Sequence, residues 1–283
     1  MSELAVAVEA LTKRYGDLVA VDDISFNIDQ GETFVLLGPN GAGKSVTIEI
    51  LEGFRHRTSG EVRVLGMDPA KADREFKSRV GIVLQQAGDL GRLSVRQTLT
   101  HFASLYPNPR SVDEVIYAVD LAQKADIAIR KLSGGQQHRV DVALGMIGNP
   151  ELLFLDEPTT GFDPEVRRQF WQVIEGLKAE GTTIMLTTHY LDEAEALGDR
   201  AGVIIAGELV AIDQVHSIGG AEMRVPVVRW LEGGVERSER TSEPAQFVAS
   251  LAERLGHEPE RLNVRTPTLE DVYLAMLDGR SSR

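Results

Sequence analysis

The sequence predicts an α/β protein with a mainly parallel sheet, and three observations lead to that prediction. Apolar stretches of strand length alternate along the chain with helical patterns, an order typical of parallel sheets covered by helices on both faces. A glycine-rich segment, 38–45, lies between the apolar run 33–37 and a helical pattern, as in strand–loop–helix units. The run 152–155 is wholly apolar, which is typical of a strand buried on both faces.

The elements before the glycine-rich segment predict an N-terminal antiparallel β subdomain. Residues 5–11 and 21–28 alternate between apolar and polar side chains and are separated by a turn-like Tyr-Gly-Asp, as expected for half-buried strands. Further strands are predicted at 61–66, 79–84 and 182–187. A long helix is predicted to open at Pro164 and to end before Gly181, because its apolar residues recur at helical spacing.

Two segments interrupt the alternation of strands and helices. Residues 87–148 are helical in pattern and predict an inserted helical subdomain, in which Ser111 and Glu114 have the spacing of a capping box. After residue 217 the pattern changes, so we predict a large N-terminal domain over 1–217 and a small α/β module over 218–283. That module would hold strands at 224–230 and 262–266, helices at 243–255 and 268–277, and exposed turns at 236–243.

The composition excludes several functions. A net charge of −13 and a pI of about 5.0 argue against general nucleic-acid binding, which needs clustered Lys and Arg. The absence of cysteine excludes disulfides and cysteine-based sites. No secretory leader and no membrane-spanning run is recognised. We therefore expect a soluble chain that would need a separate polypeptide to act at a membrane.

The strongest single motif is the phosphate-binding pattern GxxxxGK[ST] at Gly38–Ser45. Its glycines let the backbone approach a phosphate closely, and the N–H groups at the start of the next helix present positive potential. Lys44 is expected to reach the β- and γ-phosphates of a nucleotide. Ser45 is expected to offer its hydroxyl to Mg²⁺.

An acidic pair follows the apolar run 152–155. Asp156 is predicted to hold Mg²⁺, and Glu157 is predicted to polarise the attacking water beside the γ-phosphate. An apolar strand that ends in Asp-Glu is weak evidence alone. Together with the phosphate-binding loop it predicts a hydrolytic nucleotide site.

A second anion-binding pattern, LSGGQ, stands at 132–136, directly before a helical stretch. Ser133 and the glycines at positions 134 and 135 place small residues at a helix start, where anions bind. A single γ-phosphate does not need two such sites from one chain. We therefore predict that this segment serves the nucleotide of another protomer.

With these motifs in this order, residues 5–215 resemble the ATP-binding subunit of ABC transporters, whose signature is LSGGQ. The resemblance implies a P-loop NTPase fold, and it implies roles for four further residues. Tyr15 would stack on adenine, Gln85 would touch Mg²⁺ and the attacking water, Asp163 would lie at a dimer interface, and His189 would contact the γ-phosphate. Gln86 follows directly, so the glutamine assignment could shift by one.

The resemblance also assigns the nucleotide contacts and the partners. Apart from Tyr15 and Asp163, contacts with ATP would come from Gly38, Pro39, Asn40, Gly41, Ala42, Gly43, Lys44, Ser45, Val46, Ser133, Gly134, Gly135 and Gln136. The metal ligands would be Ser45, Gln85 and Asp156, and the catalytic residues Glu157, His189 and Gln85. The cofactors would be ATP and Mg²⁺. The partners would be a separate transmembrane permease and a second ATP-binding subunit, as a homodimer on the cytoplasmic face of the membrane, with no nucleic acid.

Three departures and one tail complete the comparison with the family. Val46 replaces a common Thr, which removes a hydroxyl worth about 0.5–1.5 kcal/mol to an α-phosphate. Phe162 replaces a common Leu, and His138 replaces Arg or Lys. The segment 267–273 is similar to the tail of ATPases that serve drug, antibiotic and polysaccharide exporters, and it suggests a regulatory or dimer-supporting role.

Two other functions stay open from sequence alone. A non-transport ATPase of the same superfamily, acting in translation or DNA maintenance, is disfavoured by the net charge and by the lack of a second ATP domain or a long coiled-coil insertion. A non-hydrolysing ATP sensor or scaffold is disfavoured because Glu157 and His189 are intact.

Overall fold

The computed structural model describes residues 3–83 and 91–281, without the side chains of 279–281. The chain divides into two compact units, Met1–Gln214 and Val215–Arg283. This division lies three residues before the boundary that the change in sequence pattern predicts. Within the described residues no helix is long and apolar enough to cross a membrane.

The first unit contains nine strands and seven α-helices among its described residues. The strands are β1 (Leu4–Tyr15), β2 (Leu18–Asp29), β3 (Thr33–Leu37), β4 (Ser59–Val64), β5 (Val80–Val83), β6 (Leu152–Asp156), β7 (Thr183–Thr188), β8 (Arg200–Ile205) and β9 (Glu208–Gln214). The helices are α1 (Lys44–Leu51), α2 (Arg74–Arg79), α3 (Val95–Ala103), α4 (Val112–Ala118), α5 (Gly134–Ile147), α6 (Pro164–Ala179) and α7 (Leu191–Leu197).

A six-stranded sheet in the order β5-β6-β7-β3-β8-β9 forms the core of this unit. All neighbouring strands pair in parallel except β8 and β9. These pairings confirm the mainly parallel α/β fold. Every residue of β3 and β7 is buried, as expected for strands that are covered on both faces. Since β6, β7 and β3 are adjacent and parallel, the loops that follow them meet at one edge of the sheet.

The predicted N-terminal β subdomain is a three-stranded antiparallel sheet in the order β2-β1-β4. Ile24, Phe26 and Ile28 alternate along β2 and are all buried, as their spacing predicts. Phe26 stacks on Phe34 of β3 with ring centroids 5.2 Å apart. This contact joins the antiparallel sheet to the main sheet through one continuous core.

The helical subdomain contains α3, α4 and α5 among the described residues. The capping box predicted at Ser111 is wrong, because the Ser111 side chain makes no capping hydrogen bond although Ser111 does precede α4. The capping boxes form instead at Ser94 with Gln97, before α3, and at Ser133 with Gln136, before α5.

The described residues of the second unit form a three-stranded antiparallel sheet and three α-helices. Its elements are β10 (Val227–Glu232), β11 (Val235–Arg240), β12 (Glu260–Arg265), α8 (Gly220–Met223), α9 (Pro244–Leu255) and α10 (Leu269–Ser281), with the strands in the order β11-β10-β12. The interpretation of 236–243 as turns is wrong, since 236–240 pair with β10. A strand that is exposed along its whole length lacks the apolar alternation that would reveal it.

Candidate functional site

The glycine-rich loop connects β3 to α1 at the edge where the parallel strands end. Gly43 has φ +106°, and a Cβ there would lie 2.5 Å from the carbonyl oxygen of Ala20. A Cβ on Gly38 would lie 2.3 Å from the carbonyl oxygen of Ile204. The loop therefore fits against its neighbours only with glycine at these two positions, and α1 begins at Lys44 with its first N–H groups directed away from the helix.

Lys44 is the centre of the loop. Its side chain is 4% exposed, and its ammonium donates to the carbonyl oxygens of Gly38 at 2.8 Å and Pro39 at 3.2 Å. The same ammonium lies 3.3 Å from Oε1 of Glu157. One buried cation therefore connects the phosphate-binding loop to the carboxylate that follows β6.

Asp156 ends β6 beside the start of α1. Ser45 Oγ donates to Asp156 Oδ1 at 3.5 Å, and Thr187 Oγ1 of β7 donates to the same oxygen. A hydroxyl and a carboxylate oxygen at this separation are hard oxygen donors of the kind that Mg²⁺ prefers. Among the described residues no group of three or more His, Cys, Asp or Glu could hold a metal ion.

Glu157 follows directly and has a left-handed backbone, φ +47°. Its N–H is bonded to both Thr187 oxygens, the carbonyl at 3.1 Å and Oγ1 at 3.1 Å, so β7 fixes this turn. The carboxylate lies between Lys44 and His189, whose Nδ1 is 3.3 Å from Glu157 Oε2. The structure thus brings together a buried cation, a carboxylate and an imidazole from three different segments of the chain.

The signature residues form a second cluster, at the start of α5. Ser133 Oγ accepts the N–H of Gln136 at 3.4 Å, and Gln136 Oε1 accepts the N–H of Ser133 at 3.1 Å. Ser133 and Gly134 are exposed, and a Cβ on Gly134 would meet nothing within 4 Å. The start of α5 therefore exposes a small surface at which Ser133 caps the helix.

The segment 160–163 packs against this second cluster. A Cβ on Gly135 would lie 3.2 Å from Val166 of α6. His138 of α5 packs edge-on against Phe162, with ring centroids 4.9 Å apart. Burial lowers the pKa of His138, so the ring packs as a neutral aromatic group. Two of the three departures from the family pattern, His138 and Phe162, are thus in contact with each other.

Of the other predicted residues, the structure describes Tyr15 and Val46 but not Gln85. Tyr15 ends β1 with its side chain 40% exposed, and the ammonium of Lys13 lies 4.8 Å from its ring centroid. Val46 packs its apolar side chain on the main core. Gln85 lies in the segment 84–90, outside the described residues.

Two residues near the site were missed from the sequence. Thr187 forms hydrogen bonds with both Asp156 and Glu157. Its position in a buried strand, two residues before His189, could have pointed to this role. Glu52 at the end of α1 is 3% exposed, and burial together with the charges of Asp156 and Glu49 raises its pKa to about 8. No pattern in the sequence distinguishes this glutamate from a surface one.

Asp163 is the N-cap of α6. Its Oδ1 accepts the N–H groups of Glu165 and Val166, each at 3.0 Å. We expect Asp163→Ala to lower the free energy of unfolding by about 1 kcal/mol, because the two N–H groups lose their acceptor. Urea denaturation of the nucleotide-free protein measures this loss. Asp163→Asn, which can still cap, should retain most of the stability, and equal losses in both variants would contradict a capping role.

Comparison with known proteins identifies the family of this chain. The family model described as ABC transporter matches residues 21–160. The chain is 37% identical to the Nod factor export ATP-binding protein I of Sinorhizobium fredii (strain NBRC 101917 / NGR234), over 100% of this chain and 88% of that protein. The chain belongs to the ABC transporter family. It is also 34% identical to the daunorubicin resistance ATP-binding protein DrrA2 of Streptomyces coeruleorubidus, over 99% of this chain and 97% of that protein.

The solved structures agree on the fold. A dimeric ATP-binding cassette in a post-hydrolysis state, bound to ADP and Pi, matches with a TM-score of 0.66 and 25% identity, over 75% of this chain and 99% of that chain. This ABC protein is accordingly a nucleotide-binding ATPase with the P-loop fold. The candidate ATP-site residues all lie in the first unit, Met1–Gln214: Lys44, Asp156, Glu157 and His189.

Proposed function

We propose that this ABC ATPase powers a membrane exporter of drugs, antibiotics or other amphipathic compounds, with two copies sandwiching ATP between them. The observation that carries the proposal is the placement of Glu157 between Lys44 and His189, at 3.3 Å from each. This arrangement has the groups that hydrolysis requires in one place. The names of the relatives, which describe export of Nod factor and daunorubicin resistance, support the direction of transport.

The chemistry of the proposed cycle follows from the side chains. Lys44 would offset the charge of the β- and γ-phosphates, and Glu157 would accept a proton from the water that attacks the γ-phosphorus in line with the leaving oxygen. His189 would hold the γ-phosphate and fix the orientation of Glu157. Ser45 and Asp156 would hold Mg²⁺, which supplies charge neutralisation between the β- and γ-phosphates.

The two separate clusters support the proposed dimer. Ser133 and Gly134 are exposed at a helix start, whereas Lys44 and Glu157 form a distinct cluster beyond β3 and β6. Head-to-tail pairing of two copies would bring the signature of one copy to the nucleotide held by the other. Release of the cleaved γ-phosphate would then remove a bridge between the copies and let them open.

Tyr15 is proposed to stack on the adenine of ATP. Its ring is exposed and already faces the cations Lys13 and Arg55. We expect Tyr15→Ala to weaken ATP binding by about threefold to tenfold, because an aromatic stacking contact is lost. Titration with a fluorescent ATP analogue measures the change. Tyr15→Phe keeps the ring and should bind nearly as wild type, whereas equal affinity in the alanine variant would remove Tyr15 from the site.

The partner and the location are tested together. We propose that a separate permease holds this protein on the cytoplasmic face of the membrane. The experiment is co-purification from detergent-solubilised native membranes, identification of the bound polypeptide, and an assay of Mg²⁺-dependent ATP turnover. A multi-span membrane protein with turnover is the expected result. If ribosomes or nucleic acid co-purify instead of a membrane protein, and ATP is turned over, the result would favour a non-transport ATPase.

A further inference from the structure

The second unit contains a cavity of about 420 Å³ that no part of the ATPase chemistry uses. It lies on one face of the sheet β11-β10-β12. Helix α9 covers the other face, where Val228 and Trp230 pack with Leu251. The cavity is lined by Val227, Arg229 and Leu231 of β10, whose side chains point to the opposite face of a pleated strand from Val228 and Trp230. Trp230 also borders the cavity.

Arginines from all three strands line this cavity. Arg229 is on β10, Arg240 pairs with Val227 from β11, and Arg265 pairs with Val227 from β12. Arg261 also lines the cavity. Because its φ is +52° and the register of β12 shifts there, Arg261 sits in a bulge, and bulges redirect side chains.

Most of the arginines that line the cavity form no ion pair with a described residue. Arg265 forms an ion pair with Asp271 of α10. Within the described part of the chain, no ion pair is formed by Arg229, Arg240 or Arg261. Glu236 is the other acid that lines the cavity, so three cations face one free carboxylate in a chain whose net charge is −13.

The lining also has one amide side chain, Asn263, and several apolar ones. Met223, Leu231 and Val272 contribute to the wall, and Val272 is 1% exposed. A cavity with a hydrocarbon wall and arginine side chains matches a ligand that has both an apolar body and an acidic group, since guanidinium groups bind carboxylate and phosphate in bidentate geometry. Its volume falls within the range of small-molecule sites, about 300–1,000 Å³.

We propose that this cavity binds one molecule of an amphipathic anion, an apolar body with a single carboxylate or phosphate group. The proposal concerns the second unit alone and does not depend on the proposed transport function. The concave shape favours a single inserted molecule over a flat bilayer surface, and the concentration of unpaired arginines favours an anion over a neutral ligand.

The test is calorimetric titration of the full chain with octyl phosphate below its micelle concentration. We expect saturable binding of one molecule per chain. The triple variant Arg229→Gln, Arg240→Gln, Arg261→Gln should raise Kd at least about tenfold, because charge-assisted hydrogen bonds are lost. The matched control is Arg237→Gln, an arginine on the same strand as Arg240 that pairs opposite Trp230 on the other face. It should leave Kd unchanged.

Further arms separate the other occupants. Inorganic phosphate and the uncharged octyl glucoside should each bind much more weakly than octyl phosphate, since each lacks one half of the recognised chemistry. An unchanged urea-denaturation profile of the triple variant should show that both units are folded. No saturable binding of octyl phosphate, or equal binding by the triple variant, would overturn the proposal. So would binding only to phosphatidylglycerol vesicles, or self-association of the chain that depends on the three arginines and excludes octyl phosphate.

Discussion

Replacement of Glu157 by Gln is expected to slow ATP hydrolysis by about 10²–10⁴-fold, the contribution usual for a general base. The amide has nearly the same size as the carboxylate, so it can occupy the space between Lys44 and His189, but it cannot accept the proton of the attacking water. The phosphate-binding loop is untouched, so ATP binding should remain. Because the γ-phosphate is cleaved slowly, the proposed ATP-bridged dimer should accumulate.

Three measurements on the same sample distinguish this role from a structural one. Phosphate release gives the turnover, titration gives the ATP affinity, and sedimentation velocity gives the fraction of dimer with ATP present. Glu165→Gln is a suitable control, since Glu165 is an exposed carboxylate in the first turn of α6. Near wild-type turnover in Glu157→Gln would contradict the assignment. Loss of ATP binding in parallel with turnover would make Glu157 a binding residue instead.

The ATPase cluster could be predicted from the sequence because each of its parts follows a short apolar strand. The motif spacing placed Lys44 after one buried strand, Asp156 and Glu157 after a second, and His189 after a third. Parallel strands with covered faces bring such residues to one edge of a sheet. Local patterns therefore carried most of the information, and the structure places these four residues within contact distance of one another or of a shared neighbour.

The parts that could not be predicted depend on contacts between segments distant in the sequence. Strand β11 is exposed along its length, so only its pairing with β10 defines it. The contact between His138 and Phe162 joins two positions that separately resemble tolerated substitutions. The arginines at 229, 240 and 261 share one face only because of strand register and a bulge. None of these relations appears in spacing along the chain.

Replacement of Glu52 by Gln is expected to stabilise the nucleotide-free protein at alkaline pH by a few kcal/mol. Glu52 is 3% exposed, and its Oε1 has no hydrogen-bond partner among the described residues. Burial, with the charges of Asp156 and Glu49, raises its pKa from the ordinary value of 4.5 to about 8. The folded protein therefore holds a proton on this side chain through neutral pH, where the unfolded chain has lost it.

The sign of the pH dependence follows from linkage. Below pH 4.5 both states bind the proton, and Glu52 contributes nothing to the pH dependence. Between pH 4.5 and about 8 unfolding releases a proton, so the free energy of unfolding falls as pH rises, at about 1.4 kcal/mol per pH unit. Above pH 8 the penalty is complete. The Gln variant lacks this decline, so the two proteins should be similar at pH 5 and should diverge towards pH 8.

Urea denaturation of both proteins at pH 5, 6.5 and 8, without nucleotide or Mg²⁺, measures the divergence. Glu49→Gln is the matched control, because Glu49 lies one turn earlier on α1, is partly exposed and pairs with Arg55. It should not remove the decline. Parallel stability curves for wild type and Glu52→Gln would show that Glu52 is ionised in the folded protein. In that case two like charges, Glu52 and Asp156, would stand near each other at the proposed metal site, and Mg²⁺ alone would be expected to stabilise the chain. If Glu52 is neutral, the two carboxyl groups do not repel each other. The nucleotide-free protein then needs no Mg²⁺ to offset such repulsion, and the ion can bind together with the nucleotide.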